Sequence, residues 1–191
     1  GCVCIKRPAT YDRDPEMYES TITDRLPIIE RFAVIGDVLD LGTLDGTNGF
    51  RLDGVAEGDN AGSSVSSAGD VNGDGFDDLI VGAWGADPNG RSSGSSYVVF
   101  GQASDFSATM NLSTLNGSNG FRLDGEATSD LSGLSVSTAG DVNGDGFDDL
   151  IVGAYGADSN GNLSGSSYII FGRSDFGSVL PEILGTAGDD I

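Results

Sequence analysis

The chain has 191 residues, 31 of them glycine, and carries 30 acidic against 9 basic side chains with no histidine, a formal charge of −21. A surface of that sign repels phosphate backbones and anionic lipid, which argues against nucleic-acid binding. Without histidine there is no Ser-His or Cys-His pair, and no apolar run is long enough to span a bilayer as a helix, so membrane insertion is not expected.

Residues 1–38 differ in character from the rest of the chain. They hold five of the basic residues and seven of the acids, a net of −2, which leaves −19 for the remainder. Cys2 and Cys4 are the only cysteines, and a Cys-x-Cys pair with no further Cys or His cannot complete a four-ligand zinc site. Gly1-Cys2 resembles a lipidation signal by letter, but Ile5 stands where myristoylation needs Ser or Thr. The chain does not begin with Met, which leaves room for an upstream portion. Asp14-Pro15-Glu16 predicts a helix start, and Pro27 ends that helix near Arg25. Leu26–Val34 is apolar enough to dock on a neighbouring surface.

From Leu39 the sequence repeats. Laid without a gap over Met110–Gly172, the segment Leu39–Gly101 is identical at 45 of 63 positions, 71 residues apart. One structural unit is therefore used twice, with boundaries expected at 39–109 and 110–180 and a tail at 181–191. Four strands are predicted in each copy. Asn48–Leu52 and Asn119–Leu123 alternate around Phe and Leu, and Ser63–Ala68 and Leu134–Ala139 follow. Asp78–Ala83 and Asp149–Ala154 are continuously apolar after the aspartate and read as buried inner strands. Ser95–Phe100 and Ser166–Phe171 come last. Four short antiparallel strands per unit is the content of one propeller blade. The fold class is thus all-β, two consecutive four-stranded antiparallel β-propeller blades of an incomplete propeller, after a short N-terminal segment that is partly helical.

The nonamer Asp-Val-Asn-Gly-Asp-Gly-Phe-Asp-Asp occurs unchanged at Asp70–Asp78 and Asp141–Asp149. Calcium takes six to eight oxygen ligands in flexible geometry, from carboxylates, amide oxygens and backbone carbonyls. This string offers side-chain oxygens at positions 1, 3 and 5, a backbone carbonyl at 7 and a closing carboxylate at 9. The predicted ligands are Asp70, Asn72, Asp74, Phe76 and Asp78 in the first copy. In the second they are Asp141, Asn143, Asp145, Phe147 and Asp149, so about one calcium ion is expected per repeat. An EF-hand needs an acid at position 12 and a following helix, whereas Val81 and Val152 stand there inside β-branched runs. The bland alternative is an Asx-rich turn that binds nothing, but three converging carboxylates without a cation would repel. Asp77 and Asp148 are expected to face solvent, because neighbouring strand residues point to opposite faces.

In its ordered landmarks the chain resembles the FG-GAP repeat family, the blades of integrin α-chain propellers and of many bacterial extracellular proteins. Phe100-Gly101 and Phe171-Gly172 match the Phe-Gly element, and the calcium loop precedes them as in the family. Gly82-Ala83-Trp84 and Gly153-Ala154-Tyr155 replace Gly-Ala-Pro, a departure in a loop rather than at the metal site. The likeness covers about 39–175. It implies a non-enzymatic, calcium-stabilised module of an extracellular or cell-surface protein that mediates adhesion to a protein or glycan of unknown identity. The alternatives are a non-catalytic accessory domain of a secreted hydrolase, and a structural spacer. By the family's arrangement the outer strand of each blade comes from the start of the next repeat. Asn119–Leu123 then completes the blade begun at Ser63, Asn48–Leu52 lacks a blade, and Ser166–Phe171 lacks an outer partner. Further blades from the parent chain or from other copies are implied.

At the C-terminus, Leu184–Ile191 is similar to the opening of RTX-type calcium repeats. Gly90-Arg-Ser-Ser-Gly94 fits the Gly-x-Ser-x-Gly string of hydrolases only by letter, since no helix comes after it and the second copy reads Gly161-Asn-Leu-Ser-Gly165. Asn111, Asn116 and Asn162 head glycosylation sequons, although Asn-Gly-Ser is also ordinary turn chemistry.

Overall fold

A computed structural model describes residues 38–176. The expected N-terminal helix, the Leu26–Val34 segment, Cys2, Cys4 and the RTX-like tail lie outside the described residues. The chain divides into two compact units, residues 1–43 and 44–191. Of the first, the described part is a 3-10 turn at Leu41–Thr43, where the Gly42 amide donates to Asp40 Oδ1 at 2.8 Å.

The second unit is built from strands. They are β1 (Arg51–Asp53), β2 (Ser64–Gly69), β3 (Asp78–Ala83), β4 (Ser95–Val99) and β5 (Thr109–Asn111), then β6 (Gly120–Asp124), β7 (Ser132–Gly140), β8 (Asp149–Ala154) and β9 (Ser166–Ile170). One 3-10 turn, Leu112–Thr114, separates β5 from β6.

The first blade is the antiparallel sheet β2-β3-β4-β6, and the second is β7-β8-β9. The fold is all-β, as expected, and the described strands form no closed propeller. The first blade takes its outer strand from the start of the second repeat, with Tyr97 opposite Arg122 and Val99 opposite Gly120. Among the described residues β9 has no outer neighbour. Asn48–Leu52 is strand only from Arg51, and it pairs in parallel with β5, which the alternating pattern did not announce. Three residues per strand is too short for a period to register.

Two apolar clusters hold the unit together. The first joins the blades through Ala68, Val71, Ile80, Val98, Phe100, Val136, Leu150 and Val152. The second covers the other face of the first blade, around Val81, Tyr97, Val99 and Leu112. Inner strand β3 is buried on both faces apart from Leu79, which is why its residues run apolar without alternation.

The residues after each Phe-Gly element return to the preceding outer strand through a stacked phenylalanine pair. Phe50 stacks on Phe106 at 4.1 Å with 8° between planes, and Phe121 on Phe176 at 4.2 Å and 9°. Offset or parallel ring contacts of this kind add about 0.5–1.5 kcal/mol beyond burial.

Candidate metal loops

Each nonamer forms the turn between the first and second strands of its blade, and the two turns carry the same hydrogen bonds. Asp70 Oδ1 accepts from the amides of Gly73 at 2.8 Å and Asp74 at 3.0 Å, and its Oδ2 accepts from Gly75 at 2.9 Å. Asp141 does the same with Gly144, Asp145 and Gly146 at 2.7, 3.1 and 2.9 Å. Asn72 Oδ1 accepts from Asp74 N and Asp74 Oδ1 from Phe76 N, both at 2.9 Å. Asn143 and Asp145 repeat this at 3.0 Å each. Gly73 and Gly75 sit at φ of 74° and 91°, the left-handed region that lets the chain curl round Asp70.

The closing aspartates do a second job. Asp78 is fully buried. Its Oδ2 accepts from Val71 N at 3.0 Å and its Oδ1 from Gly101 N at 2.8 Å. Asp149 mirrors it, with Val142 N at 2.8 Å and Gly172 N at 2.9 Å. The glycine of each Phe-Gly element is thus bonded to the ninth residue of the loop, and it must be glycine. A Cβ on Gly101 would stand 2.6 Å from the Asp77 carbonyl oxygen and 2.7 Å from Phe76 Cβ. Burial pushes the Asp78 carboxyl up to about 6; the Gly101 and Val71 amides oppose this, and the charges of Asp74 and Asp70 add to it.

Every side-chain donor expected from the sequence lies on its loop, but the acids are folded onto the loop's own amides. No three acidic side chains gather round a common centre among the described residues. The chemistry of the donor set still fits calcium. Positions 3 and 7 contribute an amide oxygen and a carbonyl, which are not acids. An ionised carboxylate offers about four acceptor positions, so the amide bonds leave lone pairs over on Asp70, Asp74 and Asp78. Bound there, a calcium ion would supply positive charge and fix the turn, held by Asp70, Asn72, Asp74, Asp78 and the Phe76 carbonyl, with the equivalent five in the second loop.

One expectation needs correcting. Asp77 is exposed, but Asp148 is half-buried: its Oδ2 accepts from Asp70 N at 2.9 Å, and its own amide donates to Asp70 O at 3.2 Å. Arg173 N also donates to Val71 O at 2.8 Å. Strand alternation predicts solvent only where nothing packs on that face, and at Asp148 the first loop does. Asp148→Ala is therefore expected to destabilise the chain by about 1–3 kcal/mol, the cost of stranding a partly buried donor. Asp77→Ala should stay within about 0.5 kcal/mol. Urea melts of the two variants compare them, and equal losses would remove the distinction.

Twin β-sheet units, each with an acidic loop bonded to a Phe-Gly element, define a protein built from propeller-type blades. A family model described as the FG-GAP repeat matches residues 61–99 and 132–170, and the chain carries two FG-GAP repeats. A stretch of 118 residues, 61% of the chain, is 32% identical to integrin alpha-5 of Xenopus laevis and spans 10% of that protein's length. These likenesses point to a repeat domain without catalytic machinery. Among the described residues no helix is long and apolar enough to cross a membrane.

Proposed function

We propose that the chain is a calcium-binding repeat module of an extracellular or cell-surface protein, binding one ion per loop and presenting its blades to a protein or glycan ligand. The observation that carries the metal reading is the duplication of one network. Nine residues keep the same amide-to-carboxylate bonds in both loops, down to the link between position 9 and the Phe-Gly glycine. The same side chains cap the loop's amides, and gathering three carboxylates in one nine-residue turn of a chain already carrying −21 is a repulsion that a bound cation offsets. The likeness to integrin alpha-5 supports the cell-surface setting.

Titration calorimetry with calcium should give two sites, with dissociation constants on the order of 10⁻⁴ to 10⁻³ M as in extracellular modules. Glycan and peptide arrays probed with the chain, in calcium and again in chelator, should show binding that chelation abolishes. No heat on calcium addition would sink the metal reading, and a blank array would reduce the module to a spacer.

A further inference from the structure

Part of the first metal loop's support comes from the second loop. We propose that Asp148, the eighth residue of the second loop, is a positioning residue for the calcium site of the first and sets that site's affinity, an inference that rests on the calcium reading of the loops.

The contact runs through Asp70, the first ligand of the first loop. Its carboxylate accepts from three amides of its own turn, so the direction in which it points follows the backbone that carries it. One residue, 78 positions along the chain, holds that backbone from both sides. The Asp70 amide donates to Asp148 Oδ2 at 2.9 Å, and the Asp70 carbonyl accepts from the Asp148 amide at 3.2 Å. Val71 is tied in the same way, its carbonyl accepting from Arg173 N at 2.8 Å while its amide donates to Asp78 Oδ2. The first and ninth ligands of the loop therefore share an anchor that belongs to the other repeat.

Packing leaves the anchor little slack. A Cβ on Gly69 would collide with the Asp148 carboxylate, and one on Gly73 with the Phe147 ring. The entry and the first turn of the first loop thus lie against residues 147 and 148. Among the described residues the Asp148 carboxylate accepts from Asp70 N and from no donor of its own loop. A site binds its ion better when the ligands are already in place. Groups that orient a ligand without touching the ion change affinity by about 10–100-fold when removed. Alanine at 148 takes away one of the two bonds that fix the Asp70 backbone, which puts the expected loss at the lower end. Charge alone offers a competing account, since losing any acid near a cation weakens its binding. On that account Asp77, the eighth residue of the first loop itself, would matter at least as much as Asp148.

The amides of Gly75 and Gly146 report the two loops separately, because each donates to the first aspartate of its own loop at 2.9 Å. A calcium titration of the isotope-labelled full chain, followed by amide NMR, gives one dissociation constant per loop. Asp148→Ala should raise the constant read at Gly75 about tenfold and leave the one read at Gly146 within about twofold, although the substitution lies in the second loop. Asp148→Asn keeps an oxygen for the Asp70 amide while losing the charge, and it should restore the wild-type constant. Asp77→Ala should move neither. A loss of fold stability alone would lower the melting temperature in chelator without shifting one constant against the other. A Gly75 constant unmoved by Asp148→Ala would overturn the proposal. So would Asp148→Asn behaving like Asp148→Ala, because charge would then be the cause. If neither amide moves with calcium in the wild type, the calcium reading fails and the proposal with it; if both move and Asp148→Ala changes nothing, the proposal alone fails. Should Asp148→Ala not fold, Asp148→Ser, whose hydroxyl falls short of the Asp70 amide, carries the same comparison.

Discussion

Saturating calcium is expected to raise the melting temperature by about 10–20 °C over the same chain in chelator. An ion that binds only the folded state stabilises it by RT ln(1 + [L]/Kd), about 2.7 kcal/mol at a hundredfold excess over the dissociation constant. Two loops give roughly twice that, and for a chain of this length each kcal/mol moves the midpoint by about 2–4 °C. Electrostatics points the same way. From Leu39 onward 23 acids face four arginines, so the metal-free unit folds against its own charge. Sodium chloride at matched ionic strength would screen that repulsion without entering the loops, so it serves as the control. Asp141→Ala should remove about half of the calcium response and leave the first loop's share. A midpoint equally responsive to sodium and calcium would show that screening, not binding, is the cause.

How much of the fold and its loops was legible in the sequence depends on distance along the chain. The duplication, the strands that form the two blades and the use of Asn119–Leu123 as the outer strand of the preceding blade are carried by local patterns repeated 71 residues apart, whereas β5 and the start of β1 at Arg51 were not. Asp78 was legible as the last residue of a loop, because spacing alone marks it. Its bond to Gly101 was not, since nothing local to Asp78 reports a partner 23 residues away. The Phe-Gly glycine was visible as a motif but not as a necessity, which appears only when a Cβ is placed against Phe76 and the Asp77 carbonyl. Asp148 misled for the same reason: its sequence neighbours match those of Asp77, and only the packing of one blade on the next separates them. Internal repeats hide such differences by design, because the end unit and the inner unit share letters but not surroundings. Val65 and Val136 are the clearest case, the same residue in the same strand with opposite exposure.

Asp78→Ala should destabilise the chain by about 2–6 kcal/mol in chelator, before any question of metal arises. The substitution removes both oxygens and leaves the amides of Val71 and Gly101 without their acceptor, and each stranded donor costs about 1–3 kcal/mol. Both amides matter beyond their own bonds. Val71 lies in the apolar cluster between the blades, and Gly101 lies two residues past the end of β4, the strand that carries Tyr97, Val98 and Val99. Asp74→Ala makes the needed contrast. Asp74 is exposed, and its carboxylate serves only Phe76 N and the Asn72 amide, so its loss in chelator should stay near 1 kcal/mol. In calcium the order of effects should partly converge, because Asp74→Ala then also forfeits the ion of its loop. Denaturant melts of both variants, each with and without calcium, separate an anchoring role from a ligand role at the same loop. If Asp78→Ala cost no more than Asp74→Ala in chelator, the ninth position would be a ligand alone, and the tie between loop and Phe-Gly element would carry no weight in the fold.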